Sequence, residues 1–209
     1  MKKNTLRVDI VSDVVCPWCV IGLKNLQKSK IALSKEIKFD IGWKPYELRP
    51  QIPSEGIPRK KYPNDLNTSI QILGKELGFN FNFQKIEIVP NTFHAHRLIW
   101  YVKKKNLQNE ISEKLFEAYF TNGINIGLKE NLIEVSSALG IPKKEISSFL
   151  NSDKGVEEIR LEKNKIRDMN ISGVPTFILN KKYLLQGGQD STTMVAFFRR
   201  ILEKDNLKI

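Results

Sequence analysis

The sequence predicts an α/β fold: a strand–helix–strand unit, a long helical insertion, then a helix, a β-hairpin and a closing helix. Three observations lead there. Apolar, β-branched runs at 6–12 and 37–43 read as strands and enclose a helical pattern at 17–35. The strand signal then disappears from about 64 to 150, where the apolar spacing is helical. It returns at 176–179 and 183–185, on either side of a tight Asn180-Lys181-Lys182 turn.

The first helix draws its apolar pattern from Val20, Ile21, Leu23, Leu26 and Ile31. Pro17 is tolerated in its first turn because the missing N–H has no helical partner there anyway. Strand, helix and strand in that order form a βαβ unit, which places the segment around Cys16 at the carboxyl end of the first strand. Pro45, Pro50, Pro53, Pro58 and Pro63 then mark 44–63 as an irregular boundary. Ile70, Ile72, Leu73 and Leu77 suit a helix stopped by Gly78, and Phe79, Phe81 and Phe83 fall in a loop with buried rings. Asn91 or Thr92 caps the next helix, and helices are expected over 92–105, 108–122, 129–139 and 143–151. A charged-faced helix over 154–169 turns Val156, Ile159 and Ile166 inward, and a last helix spans 190–205, capped by Asp190 or Ser191. These boundaries divide the chain into a discontinuous domain, 1–62 with 152–209, and a helical insertion domain, 63–151.

At 209 residues and 41% hydrophobic, the chain has enough apolar mass for a real core. No run approaches the ~18 apolar residues of a membrane span, so no membrane partner is expected. The start, Met1-Lys2-Lys3, is basic, but Asp9, Ser12 and Asp13 interrupt any signal-peptide core, and the expected location is the cytoplasm. The net charge is +11, carried by scattered lysines with short clusters such as Lys103-Lys104-Lys105. No RNA- or DNA-reading motif accompanies them, so nucleic acid is not an expected partner. The charge suits acidic substrates such as glutathione or anionic client proteins.

The chemistry concentrates at Cys16-Pro17-Trp18-Cys19, which holds both cysteines of the chain. A helix start presents free N–H groups and a partial positive charge, so a thiolate there is stabilised. The spacing lets the second sulfur reach back and expel a mixed disulfide formed by the first. A zinc site needs four ligands, and His94 and His96 lie one residue apart on opposite sides of a helix, so no metal is expected. A structural disulfide closing so short a loop constrains the unfolded chain little. In a reducing compartment a cysteine pair points to catalysis. Cys16, nearest the helix start, is the expected nucleophile, and Cys19, one turn in, the resolving thiol. Pro17 and Trp18 tune the pair: one lacks an N–H, the other offers a flat apolar surface. Asp13 either modulates the thiols and accepts a proton, or only terminates the strand. Gln189 and Asp190 open the last helix, where they either bind an anion or the amino group of glutathione, or simply cap it.

Several stretches, taken together, resemble the DsbA-type thioredoxin superfamily and its FrnE-like branch. They are Ser12 to Cys19, Pro90-Asn91-Thr92 with Ala95-His96-Arg97, Leu115 to Phe120, and Gly173-Val174-Pro175. The resemblance implies a thioredoxin fold with an inserted all-helical domain, and a protein-disulfide oxidoreductase acting through a mixed disulfide at Cys16. It implies a cis bond between Val174 and Pro175, set against the cysteines, with the Val174 backbone facing a bound peptide or glutathione. It also implies that the insert helix carrying Asn91 and His96 faces the site, where these two either contact substrate or are structural. No permanently bound cofactor is implied beyond the Cys16–Cys19 disulfide itself; glutathione is a candidate co-substrate, and client proteins are the expected partners. Kappa-class glutathione transferases and 2-hydroxychromene-2-carboxylate isomerases are similar in fold and insert, and give the alternative function. Their active position carries serine, whereas this chain has Cys16 partnered by Cys19. A non-enzymatic client-binding module, built on a groove of Phe79, Phe81, Phe83 and Phe93, is the third reading. The direction of electron flow and the oligomeric state are left open by the sequence.

Overall fold

Of the nine residues of strand β1 (Asn4–Ser12), Leu6 and everything from Val8 onward are buried, the signature of a strand covered on both faces. The computed structural model, which describes residues 4–59 and 64–206, places β1 inside a four-stranded sheet. Its parallel neighbour is β2 (Ile37–Pro45), reached through helix α1 (Pro17–Ala32). After the insert come β5 (Thr176–Leu179), antiparallel to β1, and β6 (Tyr183–Gln186), giving the order β2-β1-β5-β6. Two-residue strands β3 (Ile57–Pro58), in the segment read from sequence as irregular, and β4 (Ile88–Val89), in the stretch read as helical, form a separate ribbon.

The insert runs through α2 (Asn64–Glu76), α3 (Phe93–Tyr101), α4 (Gln108–Phe116), α5 (Lys129–Ser137) and α6 (Lys143–Leu150). Helix α7 (Val156–Asp168) returns to the sheet, and α8 (Ser191–Asn206) closes the chain. Strand alternation sorts the faces. Val8, Ile10, Phe177 and Leu179 join the core under α1 and α8, while Val11 and Ile178 meet Ile166 of α7. The larger core is continuous with the insert, reaching Leu98, Phe116, Ile146 and Phe149. This is the expected thioredoxin arrangement with a helical insertion. Among the described residues no helix is long and apolar enough to cross a membrane.

Local chemistry moves several boundaries. The first helix ends at Ala32, and Ile31, expected in its apolar pattern, is 75% exposed, while Leu33 just beyond is buried. The helix expected over 92–105 tightens into a 3₁₀ turn at Val102–Lys105, closed by a left-handed Asn106. The helix expected over 108–122 widens into a π turn at Glu117–Thr121. There the Phe120 carbonyl accepts from the Asn82 N–H at 2.8 Å, and its ring packs edge-on against Phe81 and Phe83. Phe81 and Phe83 are buried as expected; Phe79 is half-buried. Met1 to Lys3 and Pro63 lie outside the described residues.

Arg97 of α3 is the bulkiest side chain among those almost wholly buried. Its guanidinium donates to the carbonyls of Ser152, Lys154 (2.8 Å), Phe149 and Leu150 (both 3.4 Å), at and just past the end of α6. A cation at a helix carboxyl end answers the unpaired carbonyls and the negative pole together. Arg97 thereby ties α3 to the loop that leads into α7.

Candidate active site

At the end of β1 the chain turns through Asp13 and Val14, and the Cys16 N–H closes that turn on the Asp13 carbonyl at 3.0 Å. Cys16 occupies the N-cap of α1 with extended backbone (φ −94°, ψ 112°), and Pro17 follows at the first helical positions. Cys16 and Cys19 are free thiols, 5% and 2% exposed. They titrate in opposite directions. A hydrogen bond from the Cys19 side chain, helped by the backbone N–H groups of Cys19 and Trp18, lowers the Cys16 pKa against burial and the Asp13 charge. Burial, then the neighbouring Cys16 sulfur, raises Cys19 well above the usual thiol range.

Facing the pair is the loop before β5. The Val174–Pro175 peptide is cis, and the Cys16 thiol donates to the Val174 carbonyl at 3.6 Å. This approach needs a bare helix face. A Cβ added to Gly22 of α1 would stand 2.8 Å from Pro175 Cγ and 3.1 Å from Phe177 Cζ. From the other side, the Gly187 N–H donates to the Pro175 carbonyl at 2.8 Å. The adjoining Gly188 lies against Trp18, whose ring is otherwise 46% exposed beside the thiol.

Beneath the thiols, Asp13 and His96 are both buried. Asp13 Oδ2 accepts from the Leu48 N–H at 2.8 Å, and Oδ1 stands 3.4 Å from His96 Nε2. That nitrogen is 2.9 Å from the Tyr46 carbonyl, which only accepts, so Nε2 carries a proton. Two cavities flank the pair. A front cavity of about 260 Å³ opens beside Val15 and Pro17, with walls from Ile52, Phe83, Ile86 and Phe120. A rear cavity of about 200 Å³ is lined at its inner end by Ser12, Val14 and His96.

The structure therefore brings together Cys16, Cys19, Asp13, Pro17, Trp18, His96, Val174 and Pro175. Three residues for which substrate contact and a structural role are both open in the sequence make structural bonds. The Asn91 amide donates to the Ile52 carbonyl at 2.7 Å and accepts from the Phe93 N–H at 2.9 Å. It fastens the start of α3. Asp190 caps α8, accepting from the Thr192 and Thr193 N–H groups and the Thr193 hydroxyl, which hold its carboxyl below the usual range. Gln189 donates to the Gln186 carbonyl at 2.8 Å, tying its own turn. Sequence reasoning missed Ser12 and Gly22 as parts of the site. Gly22 left a signal, since a glycine inside an apolar helix is costly and often marks a close approach.

A buried thiol pair at a helix start, with the Cys16 pKa lowered and its sulfur set against the Val174 carbonyl, is equipped to attack a disulfide and then to be attacked from within. Comparison with known proteins bears on the fold and the family. The chain is 29% identical over 184 residues to the uncharacterized protein YwbO of Bacillus subtilis (strain 168), covering 84% of this chain and 87% of that one. It shares its fold with a probable DsbA oxidoreductase, SCO1869, from Streptomyces coelicolor (TM-score 0.85, 19% identity, 93% of this chain and 89% of the other). The same holds for the cytosolic disulfide reductase DsbM from Pseudomonas aeruginosa, solved with GSH (TM-score 0.69, 17% identity, 94% and 99% covered). Residues 7–199 match the DSBA-like thioredoxin domain, and the chain belongs to that family of thiol–disulfide oxidoreductases.

Proposed function

We propose that this protein cycles Cys16 and Cys19 between dithiol and disulfide through a mixed disulfide formed at Cys16. The observation that carries the reading is the inequality of the two thiols, one at the helix start with a lowered pKa and one buried with a raised pKa. The Cys16 thiolate attacks a substrate disulfide, and one substrate sulfur departs. Cys19 then attacks Cys16 Sγ and releases the other. The Val174 backbone beside Cys16 is suited to pair with an extended substrate. Trp18 supplies an apolar surface at the rim, and Asp13 acts on the thiols from below. Glutathione or a client protein is the substrate class, in keeping with the +11 charge. The work is done in the cytoplasm, where cysteine pairs are kept for redox chemistry.

The test is a pair of variants. Cys16→Ser abolishes insulin reduction and disulfide formation, whereas Cys19→Ser accumulates a covalent mixed disulfide visible by mass spectrometry. Full activity in Cys16→Ser sinks the reading. A glutathione-dependent isomerase of the kappa-class type fits less well, because isomerisation has no use for a second thiol facing Cys16. Glutathione-requiring isomerase activity that survives the loss of Cys19 is what favours it.

A further inference from the structure

Two buried side-chain oxygens among the described residues lack a hydrogen-bond partner, and they are neighbours: Ser12 Oγ and Asp13 Oδ1. A buried hydroxyl without a partner is costly, and such atoms call for an explanation. Ser12 ends β1, is 3% exposed, and its hydroxyl adjoins the Cys19 sulfur, where it opposes the effect of burial. It also stands at the inner end of the rear cavity. That cavity widens outward between β2, α3 and α7, past Lys44 and Glu162, to exposed Lys103, Glu158, Leu161 and Lys165. At about 200 Å³ it is many times the ~10–15 Å³ one water needs, and its walls are polar enough to hold several.

We propose that Ser12 is a further catalytic residue: its hydroxyl donates to the Cys19 sulfur as that sulfur becomes a thiolate, and the displaced proton leaves through the rear cavity. The proposal rests on Cys19 being the resolving thiol. In the mixed disulfide, substrate is bonded to Cys16 and covers the front of the site, so the rear is where a proton can depart. The Cys19 S–H bond breaks as its proton passes to Ser12 Oγ, the hydroxyl's own proton passes to water in the cavity that Ser12 lines, and the hydroxyl is left donating to the new thiolate. The Cys19 thiolate attacks Cys16 Sγ, a Cys16–Cys19 bond forms, and the bond from Cys16 to the substrate sulfur breaks. That sulfur leaves with the electron pair and takes a proton from solvent. Substrate disulfide is reduced by two electrons and the protein dithiol is oxidised; run backwards, the same step oxidises a substrate dithiol. The charged and titratable groups facing this path are Cys16 and Asp13 beside Cys19, Lys44 on β2, His96 and Lys103 at α3, and Glu158, Glu162 and Lys165 on α7.

Mixing the reduced protein with excess 5,5′-dithiobis(2-nitrobenzoate) separates the two steps. The first nitrothiobenzoate released reports attack by Cys16 and depends on reagent concentration. The second reports resolution by Cys19 and does not. In Ser12→Ala the second phase slows about tenfold, the size of one hydrogen bond to a charged group, and its pH midpoint moves upward. Ser12→Thr, whose extra methyl has the cavity to enter, restores both. Leu161→Trp, at the exposed mouth, slows the second phase without touching the site and decides the matter if Ser12→Ala does not fold. The proposal falls if the second phase keeps its rate and midpoint in Ser12→Ala, if both phases slow alike, or if Leu161→Trp changes nothing. Absence of any first phase in the unaltered protein overturns the oxidoreductase reading instead.

Discussion

Cys19 is the largest single cause of the lowered Cys16 pKa, ahead of the helix-start N–H groups. The two thiols are therefore one device, and removing the buried member changes the titration of the other. Alkylation of Cys16 with iodoacetamide is expected to rise with pH through a midpoint below the ~8.5 of a free thiol. In Cys19→Ala the midpoint moves upward, because the thiolate loses its main hydrogen-bond donor while burial and Asp13 still oppose it. The sign is diagnostic: below its midpoint Cys16 is a protonated thiol and slow, above it a thiolate and fast. An unmoved midpoint shows that the helix start alone stabilises the anion. At this scale the sequence was informative where chemistry is carried by residue type, as with Cys16 and Cys19, while the cis Pro175 came from the family resemblance. It was uninformative where the role depends on surroundings. Nothing in the composition of β1 marks Ser12 as the residue whose hydroxyl adjoins a buried sulfur, and an asparagine ahead of a helix reads the same whether it binds a ligand or, like Asn91, fastens a loop.

The contact between α1 and the Pro175 loop is a property of elements, since it sets how closely a helix and a strand entry can pack. Gly22→Ala gains helix propensity worth about 1 kcal/mol yet drives a methyl into the Pro175 ring, a residue that must shift to receive it. The expected outcome is a loss of about tenfold in kcat/KM for insulin reduction, with a far smaller change in thermal midpoint, because geometry at the thiol is disturbed more than the core. An unchanged kcat/KM shows that the loop tolerates displacement. The order and type of elements were readable from apolar spacing and from Pro, Gly and Asn punctuation. The interruptions were not. The π turn at 117–121 follows from a carbonyl captured by Asn82 and from rings supplied by another segment, and such long-range partners leave no trace in local periodicity.

For the molecule as a whole, the excess of positive charge is a field acting on incoming anions rather than a feature of the site. The rate of reaction with glutathione disulfide, which is anionic, is expected to fall about threefold between low and high salt, while that with cystamine, which is cationic, rises or stays level. Equal salt dependence for both removes the charge from the account of substrate choice. The overall architecture was legible because two strand clusters flanking a helical block have few compact solutions, and the ribbon of β3 and β4 escaped because two-residue strands carry no alternation. The central position of β1 has one more consequence, for the growing chain. The Arg7 N–H reaches Asn180 Oδ1 across a sequence separation of 173 residues, and all of β5 lies near that end. On the ribosome, β1 therefore waits with one edge open until the chain has grown 173 residues past Arg7, and the sheet, with its thiols against Val174, is completed only after the insert has been made.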